Sequence, residues 1–258
     1  DMDTFMAEKW SLDDSKTVKE ALASMIAIIG ENMNIRRFEK ITAANGFVVS
    51  YIHGGGRIGI LVEIESSVNN AEVQEAAKNV AMQIAAMNPK YISRSDISAD
   101  AMAKEREITI DSALNDPASL PKPILNKLIE KATSEKLWSD EDIAIYEEKK
   151  SNMNFLFNFL SDAAKATLAE LAMAGKADYV NDKIFSGLVE GRISKHVKDI
   201  SLMDQTYVKA EDGKQSVAKY LESVNKDLAL TKFVRFEVGE GMEKKNEDFA
   251  AEVAAQMQ

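Results

Sequence analysis

Cysteine is absent from the 258 residues, and proline (4) and glycine (12) are scarce. Without cysteine there are no disulfides, thiolate zinc sites or cysteine nucleophiles, and a reducing compartment is permitted. Glycine and proline together make up about 6% of the chain, roughly half the usual share. A sandwich or barrel of many short strands needs more turn residues, so a mostly helical chain is favoured. Long apolar runs are missing as well. The least polar stretch, residues 21–29, falls far short of the roughly 18 apolar residues that a membrane span requires. The first five residues (Asp1, Met2, Asp3, Thr4, Phe5) offer neither a basic nor an apolar region, so no signal peptide is expected. Lys and Arg (32) are outnumbered by Asp and Glu (42), and the net charge of −10 argues against a general nucleic-acid binder.

What is present supports a globular fold. The hydrophobic share is 45%, and the length suits one or two domains with a real core. Val18, Ala21, Leu22, Met25, Ile26 and Ile29 recur at helical spacing, which predicts a helix over residues 15–29 with Ser15 as N-cap and Gly30 as its C-terminal stop. Residues 34–41 lie between turn signals and are expected as a strand. Residues 47–53 form a better strand, and Gly54, Gly55 and Gly56 turn it into a hairpin whose second arm runs to residue 65. An amphipathic helix follows over residues 69–87, stopped by Asn88-Pro89. A charged helix covers residues 98–115. Residues 118–192 read as helix almost throughout, with a fresh start at Ser139, one face held by Met153, Leu156, Leu160, Ala164, Leu168 and Leu171, and a break at Gly175. Two or three antiparallel helices forming a projecting hairpin are the simplest arrangement. After a strand-like Thr206-Tyr207-Val208 come a helix (216–227), a strand (233–238) and a closing helix (247–257). The fold class is therefore α+β, with small antiparallel sheets, packed helices and a long helical hairpin. An internal echo also stands out. Thr17-Val18 precedes Arg37-Phe38-Glu39 by 20 residues, and Ser216-Val217 precedes Arg235-Phe236-Glu237 by 19. Either two related helix–strand units or chance similarity accounts for it.

The search for chemistry is mostly negative. His53 and His196 are the two histidines, and no zinc-protease or nucleophile-elbow pattern surrounds either. His53, at a hairpin tip, is a turn residue facing solvent, a partner contact or a proton carrier. His196 reads as a surface residue. Residues 53–57 suggest a phosphate loop, but a strand rather than a helix follows, so a hairpin turn is favoured. Arg36, Arg37, Arg57 and Arg235 either concentrate positive charge or pair with Glu39, Glu63 and Glu237, and pairing is preferred. Phe155 and Phe159 are core, oligomer contact or partner groove, with core leading. No catalytic residue, metal site or cofactor is predicted, and the chain reads as one that acts by contact.

Several strings then become familiar. Residues 29–37 (IGENMNIRR) and 50–62 (SYIHGGGRIGILV) closely resemble the "IGEN-x-N-I-R-R" and "S-Y-x-H-G-x-x-R-I-G-V-L-V" segments of bacterial translation elongation factor Ts. Residues 88–92 (NPKYI), 189–192 (VEGR), 233–241 (FVRFEVGEG) and 248–253 (DFAAEV) continue the likeness in order. The resemblance implies a cytoplasmic guanine-nucleotide exchange factor that binds elongation factor Tu carrying GDP and promotes GDP release, without binding nucleotide itself. It implies two related core subdomains, and it places His53, Gly54, Arg57, Tyr207, Val208 and Phe236 at partner-binding positions. Structural support of the sheet explains Arg57 and Phe236 equally well.

Two departures shape the expectation. The family's N-terminal three-helix module and its "T-D-F-V" motif, whose Asp-Phe reaches towards the magnesium site of Tu, are not in this sequence. A fragment with reduced exchange is therefore expected. Residues 118–176 stand as an insertion that lengthens the coiled coil. The expected divisions are 1–45, the end of a first core subdomain; 46–115 and 201–241, the two parts of a second; 116–200, the enlarged helical insertion; and 242–258, a C-terminal helix. The alternative is a helical interaction protein that binds Tu without exchange and uses its hairpin for another partner.

Overall fold

The computed structural model describes residues 1–242, so the closing helix expected over 247–257 lies outside the described residues. The chain divides into two compact units, Asp1–Lys78 with the stretch from Ala229 onward, and Asn79–Leu228. The first holds helices and every strand among the described residues, the second is helical, and together they bear out the α+β class.

The first unit opens with α1 (Met2–Ala7), β1 (Lys9–Trp10) and β2 (Asp13–Thr17), three elements that the sequence pattern did not announce. β1 and β2 pair as a small two-stranded sheet. Helix α2 (Val18–Ile29) therefore starts later than expected, with Thr17 and not Ser15 as its N-cap. Thr17 Oγ1 accepts from the Glu20 amide at 3.2 Å, and the Glu20 carboxylate accepts from the Thr17 amide at 2.8 Å. This reciprocal box satisfies two amides that would otherwise be orphaned. It also holds the Glu20 carboxyl below its ordinary range, chiefly through the bond from the Thr17 backbone. Gly30 ends the helix in the left-handed region (φ 79°), as expected of a residue at that stop.

Residues 31–43 carry no regular secondary structure, so the strand expected at 34–41 does not form. Side chains fix this stretch in place of a hydrogen-bonded ladder. Phe38 stacks on Phe5 with ring centroids 4.7 Å apart, Lys232 Nζ donates to Glu39 at 2.8 Å, and Arg37 reaches Glu240 at 2.7 Å. The first arm of the internal echo is thus a helix without a strand, whereas its second arm has both.

The main sheet has the order β3–β4–β5, all antiparallel, formed by β3 (Gly46–His53), β4 (Ile58–Glu65) and β5 (Ala229–Glu237). Along the central strand Ile60, Val62 and Ile64 are buried in strict alternation, the period of a half-buried sheet. Helix α3 (Ala71–Met87) follows, its first turn capped by Asn70, whose side chain accepts from the Val73 amide at 2.9 Å.

The second unit is helical. It contains α4 (Ala99–Leu114), α5 (Lys122–Ser134), α6 (Asp140–Lys149), α7 (Met153–Phe159), α8 (Asp162–Ala174), α9 (Lys176–Tyr179), α10 (Lys183–Ile200) and α11 (Val217–Val224). The stretch expected as two or three long helices thus contains six, the longest of 18 residues. All of them but α11 contribute to one apolar core, in which Leu114 of α4, Ile129 of α5, Leu156 of α7, Leu168 of α8 and Phe185 of α10 are fully enclosed. Trp138 is buried there too, its indole N–H donating to the Ala164 carbonyl at 3.1 Å. Phe155 and Phe159 are not core: they are 55% and 51% exposed. Helix α7 instead turns Leu156 inward, and Lys149 Nζ sits 4.6 Å from the Phe159 ring. His196 is half-buried, with Nε2 3.1 Å from the Glu105 carboxylate, a contact between α10 and α4.

Candidate functional surfaces

One end of the main sheet gathers four of the six expected site residues, three on the β3–β4 hairpin and Phe236 on β5. His53 is the last residue of β3, paired with Ile58 across the turn. Gly54, Gly55 and Gly56 have φ of 62°, 66° and 97°. Three successive residues in the left-handed region exclude side chains from the turn, because a Cβ is strained there. Nothing therefore overhangs His53 from the turn, and its ring is exposed. Tyr51, two residues back and on the same face, places its phenol oxygen 2.9 Å from His53 Nδ1.

Arg57 follows the turn, exposed, and its carbonyl accepts from the Val238 amide at 2.9 Å. Phe236 lies on β5 opposite Gly59 of β4. The Arg37 guanidinium lies 4.4 Å from the centroid of the Phe236 ring while also bonding Glu240, so the aromatic ring and a carboxylate hold one cation between them. Arg36 donates to the Glu240 carbonyl. Arg235 pairs with Glu237 at 2.9 Å. Two of the four arginines, Arg37 and Arg235, are thus ion-paired, Arg37 with Glu240 and not with one of the three carboxylates expected.

The other two expected residues, Tyr207 and Val208, belong to the second unit. Tyr207 is buried and stacked on Tyr220 of α11, with centroids 4.0 Å apart and planes inclined by 12°, whereas Val208 is 50% exposed. The strand-like stretch expected at 206–208 reduces to one isolated bridge between Thr206 and Ser216. What holds the loop is Gln83, a fully buried amide on α3. Its Nε2 donates to the Gln205 side chain (3.2 Å) and the Thr206 carbonyl (3.1 Å), and its Oε1 accepts from the Val208 amide (2.8 Å). Both sides of Tyr207 are thereby stapled to one side chain. Asn79 supplements it, donating to the Tyr220 hydroxyl and accepting from Lys209 Nζ, both at 2.8 Å. Gln83 and Asn79 escaped the sequence reading. Their only signal is a pair of amides four residues apart beside the apolar stripe of α3. Tyr207, Tyr220 and Lys209 line an open depression of about 660 Å³.

Among the described residues no cluster of histidines and carboxylates could hold a metal ion, and no helix is long and apolar enough to cross a membrane. The family model of elongation factor Ts matches residues 1–240. The chain belongs to the elongation factor Ts family. Proteins named elongation factor Ts are similar to it along nearly all of its length. The one from Clostridium perfringens is 37% identical over 257 residues, which cover 98% of this chain and 63% of the relative. Those from Clostridium novyi and Clostridium botulinum are 36% and 35% identical, covering 100% and 98% of this chain and 64% and 62% of the relatives. The chain therefore spans a little under two thirds of these family members.

Proposed function

We propose that this chain binds elongation factor Tu in the cytoplasm and promotes release of its GDP. Membership of the elongation factor Ts family supports the reading, and the observation that carries it on this molecule is His53, exposed on a side-chain-free turn. No covalent step is required. A protein that prefers the nucleotide-free conformation of its partner weakens nucleotide binding by the same factor by which nucleotide weakens its own. In this reading His53, Gly54, Arg57 and Phe236 offer one contact surface and Val208 another, with Tyr207 positioning Val208. Residues 116–200 are an enlarged helical insertion within the second core subdomain, and neither nucleotide nor cofactor is bound by the chain itself.

Release of a fluorescent GDP from Tu, followed with and without the chain, tests the proposal. Accelerated release is expected, with His53→Ala weakening the complex about tenfold, or about 1.4 kcal/mol. Tight binding that leaves the release rate unchanged would favour the binding-only alternative. An affinity unaltered by His53→Ala would remove His53 from the contact.

A further inference from the structure

The hairpin carries one polar contact that the exchange reading does not use. Tyr51 and His53 are alternate residues of β3 and therefore share a face of the sheet. Their cross-strand partners are Ile60 and Ile58, which offer no competing polar side chain. The phenol oxygen lies 2.9 Å from Nδ1, with the two rings 5.8 Å apart and inclined by 42°, so the bond is edge-on and not a stack. A tyrosine hydroxyl has one proton to donate and lone pairs with which to accept. With its oxygen lone pair drawn into the ring, it donates more readily than it accepts. A neutral imidazole that accepts at Nδ1 must carry its own proton on Nε2.

We propose that Tyr51 is a positioning residue that fixes His53 as the Nε2–H tautomer, so that the exposed edge of the ring is a hydrogen-bond donor. The partner group that this edge fits is an oxygen acceptor, a carbonyl or a carboxylate, and not an amide N–H. The proposal rests on the reading of His53 as a contact with Tu. The glycine turn contributes by leaving that edge uncovered, and the strand alternation contributes by bringing the phenol to the opposite nitrogen.

Ring-nitrogen NMR of the ¹⁵N-labelled chain, recorded on the alkaline side of the imidazole titration, reads the tautomer directly. The expected spectrum has a pyrrole-type Nε2 and a pyridine-type Nδ1. Tyr51→Phe keeps the packed ring and removes only the hydroxyl. Its His53 signals are expected to move towards a tautomer average, and its affinity for Tu to fall about fivefold, the loss of one neutral hydrogen bond. An Nδ1–H spectrum in the unsubstituted chain, or ring signals unmoved by Tyr51→Phe, overturns the proposal. Affinity lowered by His53→Ala but untouched by Tyr51→Phe overturns the positioning role alone. Affinity untouched by His53→Ala overturns the contact reading beneath it.

Discussion

Asp142 shows how much one buried side chain can organise. It is 4% exposed and accepts from the Ser161 amide at 3.0 Å, the Ser161 hydroxyl at 2.7 Å and the Ser139 hydroxyl at 2.9 Å. Ser139 and Ser161 are the N-caps of α6 and α8, so one carboxylate ties two helix starts together. Burial pushes its pKa up, but the bonds from Ser161 and then Ser139 outweigh burial and leave it below the ordinary 3.8. A lowered folded pKa means stabilisation that is full above the unfolded value and lost as pH falls through the folded one. Asp142→Ala is therefore expected to cost about 1–3 kcal/mol at neutral pH and to flatten the acid limb of stability, both measurable by denaturant titration across pH. Gln83 acts similarly on the 205–208 loop. Gln83→Leu leaves the Val208 amide and the Thr206 carbonyl unpaired, so a loss of about 1–3 kcal/mol is expected. Hydrogen exchange at Val208 should speed up with it.

Among the elements, the β3–β4 hairpin depends on Gly46 for a reason unlike that of its turn. A Cβ there would stand 1.8 Å from the Ile64 carbonyl oxygen, which is backbone and cannot swing aside. Gly46→Ala is expected to pry the ends of β3 and β4 apart at a cost of about 1–3 kcal/mol, read as a fall in melting temperature. The hairpin was legible in the sequence because its alternation and glycine run are local signals, as were α3, α4 and the stop at Gly30. Residues 34–41 misled because their strand-like composition is used for long-range side-chain anchors to Glu240, Lys232 and Phe5, which no local pattern encodes. Of the breaks that split residues 118–200 into six helices, the start at Ser139 was legible, whereas those at the caps Ser161 and Asp182 were hidden by continuous helical composition. Phe155 and Phe159 were misjudged because i, i+4 spacing gives a shared face but not which way that face points. Of the candidate surface, His53 could be found from its motif, whereas Tyr51, Gln83 and Asn79 became visible only through their partners.

At the scale of the whole molecule, residues 118–176 are not an appendage to the second unit's core. Leu128, Ile129, Leu156 and Leu168 lie in the same apolar cluster as Ile110 and Leu114 of α4 and Phe185 and Val189 of α10. Removing 118–176 is expected to uncover those faces, with raised binding of a hydrophobic dye and a lower melting temperature as the readouts. An unchanged melting transition would show that α4 and α10 can bury each other unaided. Apolar surface already exists elsewhere: on α2, Ile28 is 84% exposed and Ile29 54%, and Ala21 is the helix's one buried residue.

The placing of β5 beside β4 has a consequence for the order of events on the ribosome. The central strand of the main sheet acquires one neighbour at once, from the adjoining β3, and the other only when Ala229–Glu237 emerges. At ordinary elongation speeds that interval is on the order of ten seconds. The helical unit is completed within it, while β4 waits with an open edge, the kind of edge that invites pairing with another chain. The sheet that presents His53 is therefore among the last parts of the described chain to close, and its central strand is paired on both edges only when synthesis has passed β5.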